Sequence, residues 1–600
     1  MPWPWTSARG KGSLIQTSST ETSSRQAADI TKSSRQVALL CAAAAASVVV
    51  IPMFFLGNAS GHDFQFHLAS WMDVAGQWRE GIAYPRWAEW ANWGFGEPRF
   101  IFYPPGSWML GAALGSVLPW RIVPGAFIWL ALVLAGLGMW RLAREWLPSR
   151  QALLAGLVFA ANPYHLVIVY YRSDFAELLA SALFPLVLLS ALRVVRDGWR
   201  RVPSLALVFA LTWLSNAPAG VIATYSLVLI FAVGCAVHRD AWPLLRGGAA
   251  MAGGFGLAAF YILPAGWEQR WVQISQVLAE NLRPSQNFLF AHSNDPEFVW
   301  FNWKVSAVAL GTILVTGVAA VFVARQRRSL SEPWWALLTL ALASTFLMFP
   351  PSIFFWEHLP KLQFVQFPWR WLLPLDVALA FFVAAALQNS RKQWLGLFAI
   401  LVATGAIGTT FVKDAWWDSE DIPVLADGIR SGHGYEGTDE YQPLGCDRYQ
   451  LPGRPSASAD ISDTPAALLS KSSETVTPKI AQIDPESEAL TPASGASVHI
   501  ERWTAETKLF TSKTGQPAAL ALRLINYPAW EIQVDAKIAQ GDSLSETGQL
   551  SLEAPAGEHS VDVHFRHTWD RTTGSGISIF SCFLLLGFTA YTRRKTLHAN

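Results

Sequence analysis

Charge is what this 600-residue sequence has least of. Asp, Glu, Lys and Arg together make up 15%, whereas 52% is hydrophobic, with 30 Trp and 35 Phe. A water-soluble chain could not hide that much apolar surface, so the composition excludes an ordinary soluble enzyme. The 45 cations and 44 anions leave a formal charge of +1, which offers no electrostatic footprint for nucleic acid. Cysteine is scarce too: of four, Cys41, Cys235 and Cys582 lie in apolar runs and only Cys446 in a long polar region. No disulfide framework is expected. The signatures of soluble cofactor enzymes are missing as well. There is no G-x-x-x-x-G-K-[ST], no Rossmann G-x-G-x-x-G followed by an acid, no H-E-x-x-H and no CxxC.

What is present is a series of long apolar runs. Residues 37–56 contain Ser47 as their only polar member, and twenty such residues suffice to cross a bilayer as a helix. Further spans are read near 123–142, 151–170, 177–193, 203–216, 219–237, 245–264, 305–324, 333–349, 371–388, 394–412 and 574–592. The expected fold class is therefore an all-α polytopic membrane protein of about twelve transmembrane helices, with 37–412 as its main membrane domain. The run at 203–216 is short for a span. About 36 mostly polar residues precede the first run, too many for the n-region of a leader, so this run is read as an anchor.

Lys and Arg in short loops stay on the cytoplasmic side. The tail 1–36 carries Arg9, Lys11, Arg25, Lys32 and Arg35, and alternate loops carry further clusters, from Arg141/Arg144/Arg150 to Arg593/Arg594/Lys595. Both termini, 1–36 and 593–600, are thus expected in the cytoplasm of a cell with this protein in its inner (plasma) membrane. The agreement requires the apolar stretch 106–118 to be an interfacial or re-entrant helix of an outer loop, 57–122, and not a span. The alternative is a true span paired with another.

Residues 413–573 hold no spanning run, and acids outnumber cations about two to one. They are expected to form a periplasmic domain. Ile532, Val534 and Ile538 alternate with Glu531, Gln533, Asp535 and Lys537, and Val561, Val563 and Phe565 alternate with polar neighbours. Period-two alternation marks half-buried strands. With turns at Gly541-Asp542 and Ala556-Gly557, an antiparallel β-sandwich is expected over about 495–570, preceded by a Ser/Ala/Thr-rich linker at 456–473.

Ionisable residues at span ends are expensive and are the first candidates for a site. The first outer loop opens Gly61-His62-Asp63-Phe64-Gln65-Phe66-His67. In a helix, Asp63 and His67 share one face, where either could take a proton from a hydroxyl or hold a divalent cation, the one cofactor considered. The competing account of Asp63 is a helix cap. Downstream in the same loop, Arg86, Arg99 and Tyr103 lie among aromatics, a setting that suits a phosphate head at a membrane surface and equally an aromatic belt with snorkelling arginines. The next outer turn contains Arg172, Asp174 and Glu177; Asp174 with Glu177 forms the acidic pair that complements Asp63, against the alternative of a solvated turn. Gln366 and Arg370 sit in Phe364-Val365-Gln366-Phe367-Pro368-Trp369-Arg370-Trp371 at the outer end of another run. No metal-ligand set is legible.

Five segments carry a resemblance: Gly61 to His67, Arg172 to Glu177, Phe367 to Arg370, Gly434-Tyr435-Glu436-Gly437-Thr438-Asp439-Glu440-Tyr441 and Asn526-Tyr527-Pro528-Ala529-Trp530. Together they resemble the bacterial membrane proteins labelled 6-pyruvoyl-tetrahydropterin synthase related, which are similar in layout to GT-C glycosyltransferases using polyprenyl-phosphate sugars. The activity in that label needs an H-x-H zinc pair, which is missing here. The GT-C likeness implies an acid at the start of the first outer loop, matched by Asp63, and a second in the next outer turn, matched by Asp174. It implies a transferase that moves a sugar from a lipid-linked donor to a periplasmic acceptor. Asp63, His67, Asp174 and Glu177 would be catalytic, and Arg86, Arg99, Tyr103, Arg172, Gln366 and Arg370 would bind substrate. A transporter or flippase of lipid-linked saccharide, or a cell-envelope scaffold, are the rival readings. Transporters commonly show internal repeats, and none is found.

Overall fold

The computed structural model describes residues 15–292, 295–326, 332–387, 391–452, 479–483, 490–491 and 496–599. The expected linker at 456–473, and the cations Arg9, Lys11, Arg327 and Arg328, lie outside the described residues. The chain is mostly helical. Among the described residues, eight helices are long and apolar enough to cross a membrane, from Ser34–Leu56 to Trp569–Arg594. Two bent pairs, Trp242–Leu257 with Ala259–Trp271 (75°) and Pro333–Leu347 with Pro350–His358 (98°), raise the number to ten if each is one broken span.

Twelve spans were expected, and the difference has two sources. The runs at 177–193 and 203–216 fall in one helical stretch, Phe175–Ser215, interrupted by a tight turn at Gly198–Arg201. Its second part, Val202–Ser215, is only 14 residues long, about 21 Å, short of the roughly 30 Å hydrocarbon core. The run at 394–412 forms a helix, Arg391–Asp414, that does not count among the eight. The stretch at 106–118 is the helix Pro105–Gly115, 11 residues long, or about 16 Å. It packs on Phe64–Arg79, with Gly111 against the buried Trp71 ring.

The C-terminal region is antiparallel β-structure. One five-stranded sheet has the order 542–543, 549–554, 518–525, 480–483, 490–491, and the second 496–503, 507–514, 557–565, 530–534, 537–539. Phe510, Leu520, Leu522, Ile532, Leu550, Leu552, Val561 and Val563 from the two sheets share one apolar core. Val561, Val563 and Phe565 face inward as their alternation required. Ile538 does not. Asp535 and Ala536 both adopt positive φ, 50° and 60°, forming a two-residue hairpin turn that ends the alternating run. Ile538 lies beyond it, 78% exposed.

Two sets of contacts join the sheets to the helices. Phe95 and Trp87 from the connection after the first span enter the sheet core, where Ile525 N–H donates to the Phe95 carbonyl at 3.0 Å. At the start of the last span, Arg571 makes a bidentate pair with Glu268, 2.7 Å from each guanidinium nitrogen, and the Tyr527 hydroxyl donates to the same carboxylate at 2.6 Å.

Candidate functional site

Two short strands position the first site segment. Asn58–Ala59, just past the first span, pairs antiparallel with Trp417–Asp418. Gln65 donates to Asp421 Oδ1 at 2.8 Å, and Ser60 also bonds Asp421. Residues 59–63 then run beside 171–173: His62 and Asp63 N–H donate to the Tyr171 and Arg172 carbonyls at 3.2 and 2.8 Å, and Ser173 Oγ donates to Ala59 O. A Cβ on Gly61 would lie 2.4 Å from Tyr171 O, so only glycine lets the two backbones approach this closely. The second segment leaves a π-helical turn, Ile168–Arg172, and passes through Ser173 at φ 52°. Wide turns and left-handed residues of this kind gather at functional sites. Asp174 then caps the following helix, accepting from Glu177 N–H at 2.9 Å.

These segments and the turn Pro368–Trp371 bring five charged side chains into one cluster. Arg172 Nη2 lies 2.7 Å from Asp63 Oδ2 and 3.3 Å from Asp174 Oδ2, and its Nη1 lies 3.2 Å from Glu177 Oε2. Arg370 Nε and Nη2 lie 2.9 Å from Glu177 Oε2 and 3.3 Å from Asp174 Oδ2. His67 Nε2 is 3.6 Å from Asp174 Oδ1; its Nδ1 contacts Ser107 Oγ at 3.2 Å and its Nε2 lies 3.5 Å from Tyr103 Oη. Gln366 accepts from Arg370 Nη1 at 3.2 Å and is held by Val277 O. Burial opposes charge on Asp174, but the His67 contact and the Arg172 and Arg370 guanidinia outweigh it and hold its carboxyl well below the usual range.

Exposure separates the acids. Asp174 and Glu177 are buried, whereas the Asp63 side chain is 34% exposed. Asp63 precedes the helix Phe64–Arg79 but makes no side-chain capping bond, so the cap account of this residue fails. Asp63, His67, Tyr103, Arg172, Asp174, Glu177, Gln366 and Arg370 therefore assemble as one constellation. The two arginines are already shared among three carboxylates.

Arg99 and Arg86 stand outside it. Arg99 is fully buried, with Nε 2.7 Å from Glu97 and its plane over the Phe66 ring. Glu97 in turn accepts from Thr438 N–H at 2.9 Å, so this pair ties the Gly434–Tyr441 segment to the connection after the first span. Beside it, burial pushes the Asp73 carboxyl up despite bonds from Gln77, Trp90 N–H and Tyr435. Arg86 lies at the junction with the sheets.

Three residues of the site escaped the sequence reading. Tyr164 donates to Glu177. Tyr171 receives Lys304 Nζ on its hydroxyl at 2.9 Å, and Lys304 also pairs with Asp414. Lys304 is the one lysine in the helix Pro296–Gln326, whose other charged residues, Glu297 and Arg325, lie in its end turns, and that isolation was a usable signal. It borders a cavity of about 390 Å³ between four helices, lined by aliphatic residues such as Leu157, Val308, Val315, Leu379, Leu401 and Ile407. Among the described residues, no three His, Cys, Asp or Glu side chains converge closely enough to hold a metal ion.

Spans, a half-exposed acid and a buried charge cluster at the span ends together define a multi-pass membrane protein with a polar site at the edge of its helical domain. Residues 100–416 match the 6-pyruvoyl-tetrahydropterin synthase related domain of membrane proteins. The chain belongs to that family. No curated protein matches the sequence. Among solved structures it is similar to arabinofuranosyltransferase AftD from Mycobacteria (18% identity, TM-score 0.38, 63% of this chain and 27% of that one). It is also similar to the oligosaccharyltransferase AglB from Archaeoglobus fulgidus in complex with an inhibitory peptide and a dolichol-phosphate (13%, 0.38, 68% and 61%). A third is ArnT from Cupriavidus metallidurans (15%, 0.38, 65% and 69%). The chain thus spans about a quarter of AftD's length and three fifths of AglB's.

Proposed function

We propose that the protein is a membrane glycosyltransferase that moves a sugar from a polyprenyl-phosphate-linked donor to an acceptor on the periplasmic face. The observation that carries this reading is Asp63: a carboxylate at a span end, open to solvent on one side and oriented on the other by Arg172 within a buried ion-pair cluster. Such a group can take the proton of an acceptor hydroxyl as its oxygen attacks the anomeric carbon and the carbon–oxygen bond to the lipid phosphate breaks. Asp174 and Glu177, themselves braced by Arg370, hold Arg172, and so Asp63, in place.

The donor's tail is assigned to the aliphatic cavity between the helices, and its phosphate to the side of Lys304, one residue of backbone away from Arg172 through Tyr171. Arg172 and Arg370 are locked onto the buried Asp174 and Glu177 and orient the acids, whereas Lys304 is paired with the outward-facing Asp414, 36% exposed, which an entering phosphate replaces.

The test is sugar transfer by purified protein in lipid nanodiscs, with a panel of radiolabelled polyprenyl-phosphate sugars. Wild type should release polyprenyl phosphate. Asp63→Asn, at equal protein, should lower the rate by about 100- to 10,000-fold. Wild-type turnover in Asp63→Asn would remove that residue from the chemistry. Movement of intact lipid-linked saccharide across proteoliposomes, without cleavage, would establish the transporter reading instead.

A further inference from the structure

A second cavity, about 320 Å³, lies where the connection after the first span, the sheets and the start of the last span meet. Its polar lining comes from Arg86, Glu506, Arg566, His567 and Arg571, and its apolar lining includes Tyr84 and Phe565. The size is that of a small-molecule site.

The charges in it are unequally satisfied. Arg571 is spent: two of its nitrogens lie on Glu268 and the third donates to Arg566 O at 3.2 Å. Arg566 is exposed and makes one long bond, 3.4 Å, to Pro528 O. Arg86 is half-buried, yet among the described residues its guanidinium has no hydrogen bond or ion pair, only the Tyr84 ring beneath it at 4.6 Å. Glu506 Oε1 is buried without a hydrogen-bond partner. A buried polar group without a partner is costly, and here Arg86 and Glu506, each with unspent hydrogen-bonding capacity, line the same space.

We propose that this cavity binds a phosphate ester carrying a free hydroxyl, the phosphate held by Arg86 and Arg566 and the hydroxyl donated to Glu506. Guanidinium forks match phosphate oxygens in pairs, and Tyr84 and Phe565 give the ester's carbon skeleton an apolar wall. Two sources supply this chemistry: a soluble sugar or glycerol phosphate, or the headgroup of a glycerophospholipid. Trp569, two residues from the lining His567 and Arg571, is 55% exposed and edge-on to Trp267 at 4.7 Å, an aromatic pair of the kind found at a membrane–water interface. The site is built from residues that do not touch the Asp63 cluster, so it stands or falls apart from the transferase reading.

The experiment measures the thermal unfolding midpoint of the full chain, with wild type, Arg86→Gln and Arg566→Gln compared. One arm titrates glycerol 1-phosphate in detergent, and the other compares nanodiscs of phosphatidylglycerol with nanodiscs of phosphatidylcholine. A saturable rise with glycerol 1-phosphate identifies the soluble source, and a rise confined to phosphatidylglycerol identifies the lipid. In either case Arg86→Gln should weaken the apparent affinity at least about tenfold, with Arg566→Gln as the second reading should Arg86→Gln fail to fold. No rise in either arm, or the same rise in both variants, overturns the proposal.

Discussion

At the scale of single residues, the site is a problem in charge placement. Glu177 is fully buried and meets Arg172, Arg370 and the Tyr164 hydroxyl. Deleting one partner of a buried ion pair leaves the others uncompensated and costs about 3–5 kcal/mol. Glu177→Ala should therefore lower the unfolding midpoint and the amount of protein in the membrane, while the half-exposed Asp63→Asn keeps both near wild type. A second buried acid gives a pH dependence. Burial raises Glu89 from 4.5 to about 7, against the attraction of Lys508. The folded state then holds a proton that the unfolded chain has lost between those values, so this group's contribution to stability falls as pH rises from about 4.5 to 7. Glu89→Gln should flatten the decline of the midpoint over that window; an unchanged slope would assign the proton elsewhere. Of the residues singled out by sequence, Asp63, Arg172, Asp174, Glu177 and Arg370 were recognisable because charge beside apolar runs is rare and expensive. Arg99 looked the same in sequence. Its partner Glu97 stands two residues before it, but the stacking on Phe66 and the tie of Glu97 to Thr438 are tertiary contacts that local pattern does not encode.

At the scale of elements, the register of residues 59–63 against 171–173 sets where Asp63 meets Arg172. Gly61 is its tightest point. In Gly61→Ala the added carbon must push the two backbones apart, since the opposing atoms are main chain. Activity should fall by at least about tenfold with the fold retained, and Gly76→Ala, at a helical position with open space around it, should serve as the neutral control. Apolar runs made most helices readable, and alternation made the strands of Trp530–Val534 and Gly557–Phe565 readable. Helix breaks were harder. The bend after Leu257 falls inside a run of uniform hydropathy, and Asp535-Ala536 turns without glycine, so composition marks neither; the bend after Leu347 does carry a mark, Pro350-Pro351.

At the scale of the whole molecule, the cationic loops predict which side of the membrane each part faces. Phosphatase fusions should be silent at Asp240, beside a cationic cluster, and active at Gly515, in the turn between two strands. The opposite pair of results would invert the proteins's proposed orientation and move the site to the cytoplasm. The family was legible from short motifs scattered over the chain, of which Arg172 to Glu177 and Phe367 to Arg370 lie within the matched residues 100–416. The Glu268 knot has a consequence of its own. Tyr527 from the sheets and Arg571 from the final helix both grip one carboxylate at the end of Ala259–Glu268, so the last span is fastened to the bundle by side chains as well as by its peptide backbone. A polypeptide made as two separate pieces, one ending at residue 452 and one beginning at 479, should then travel as one particle, with that carboxylate as one clasp and Phe95 and Trp87 in the sheet core as the other.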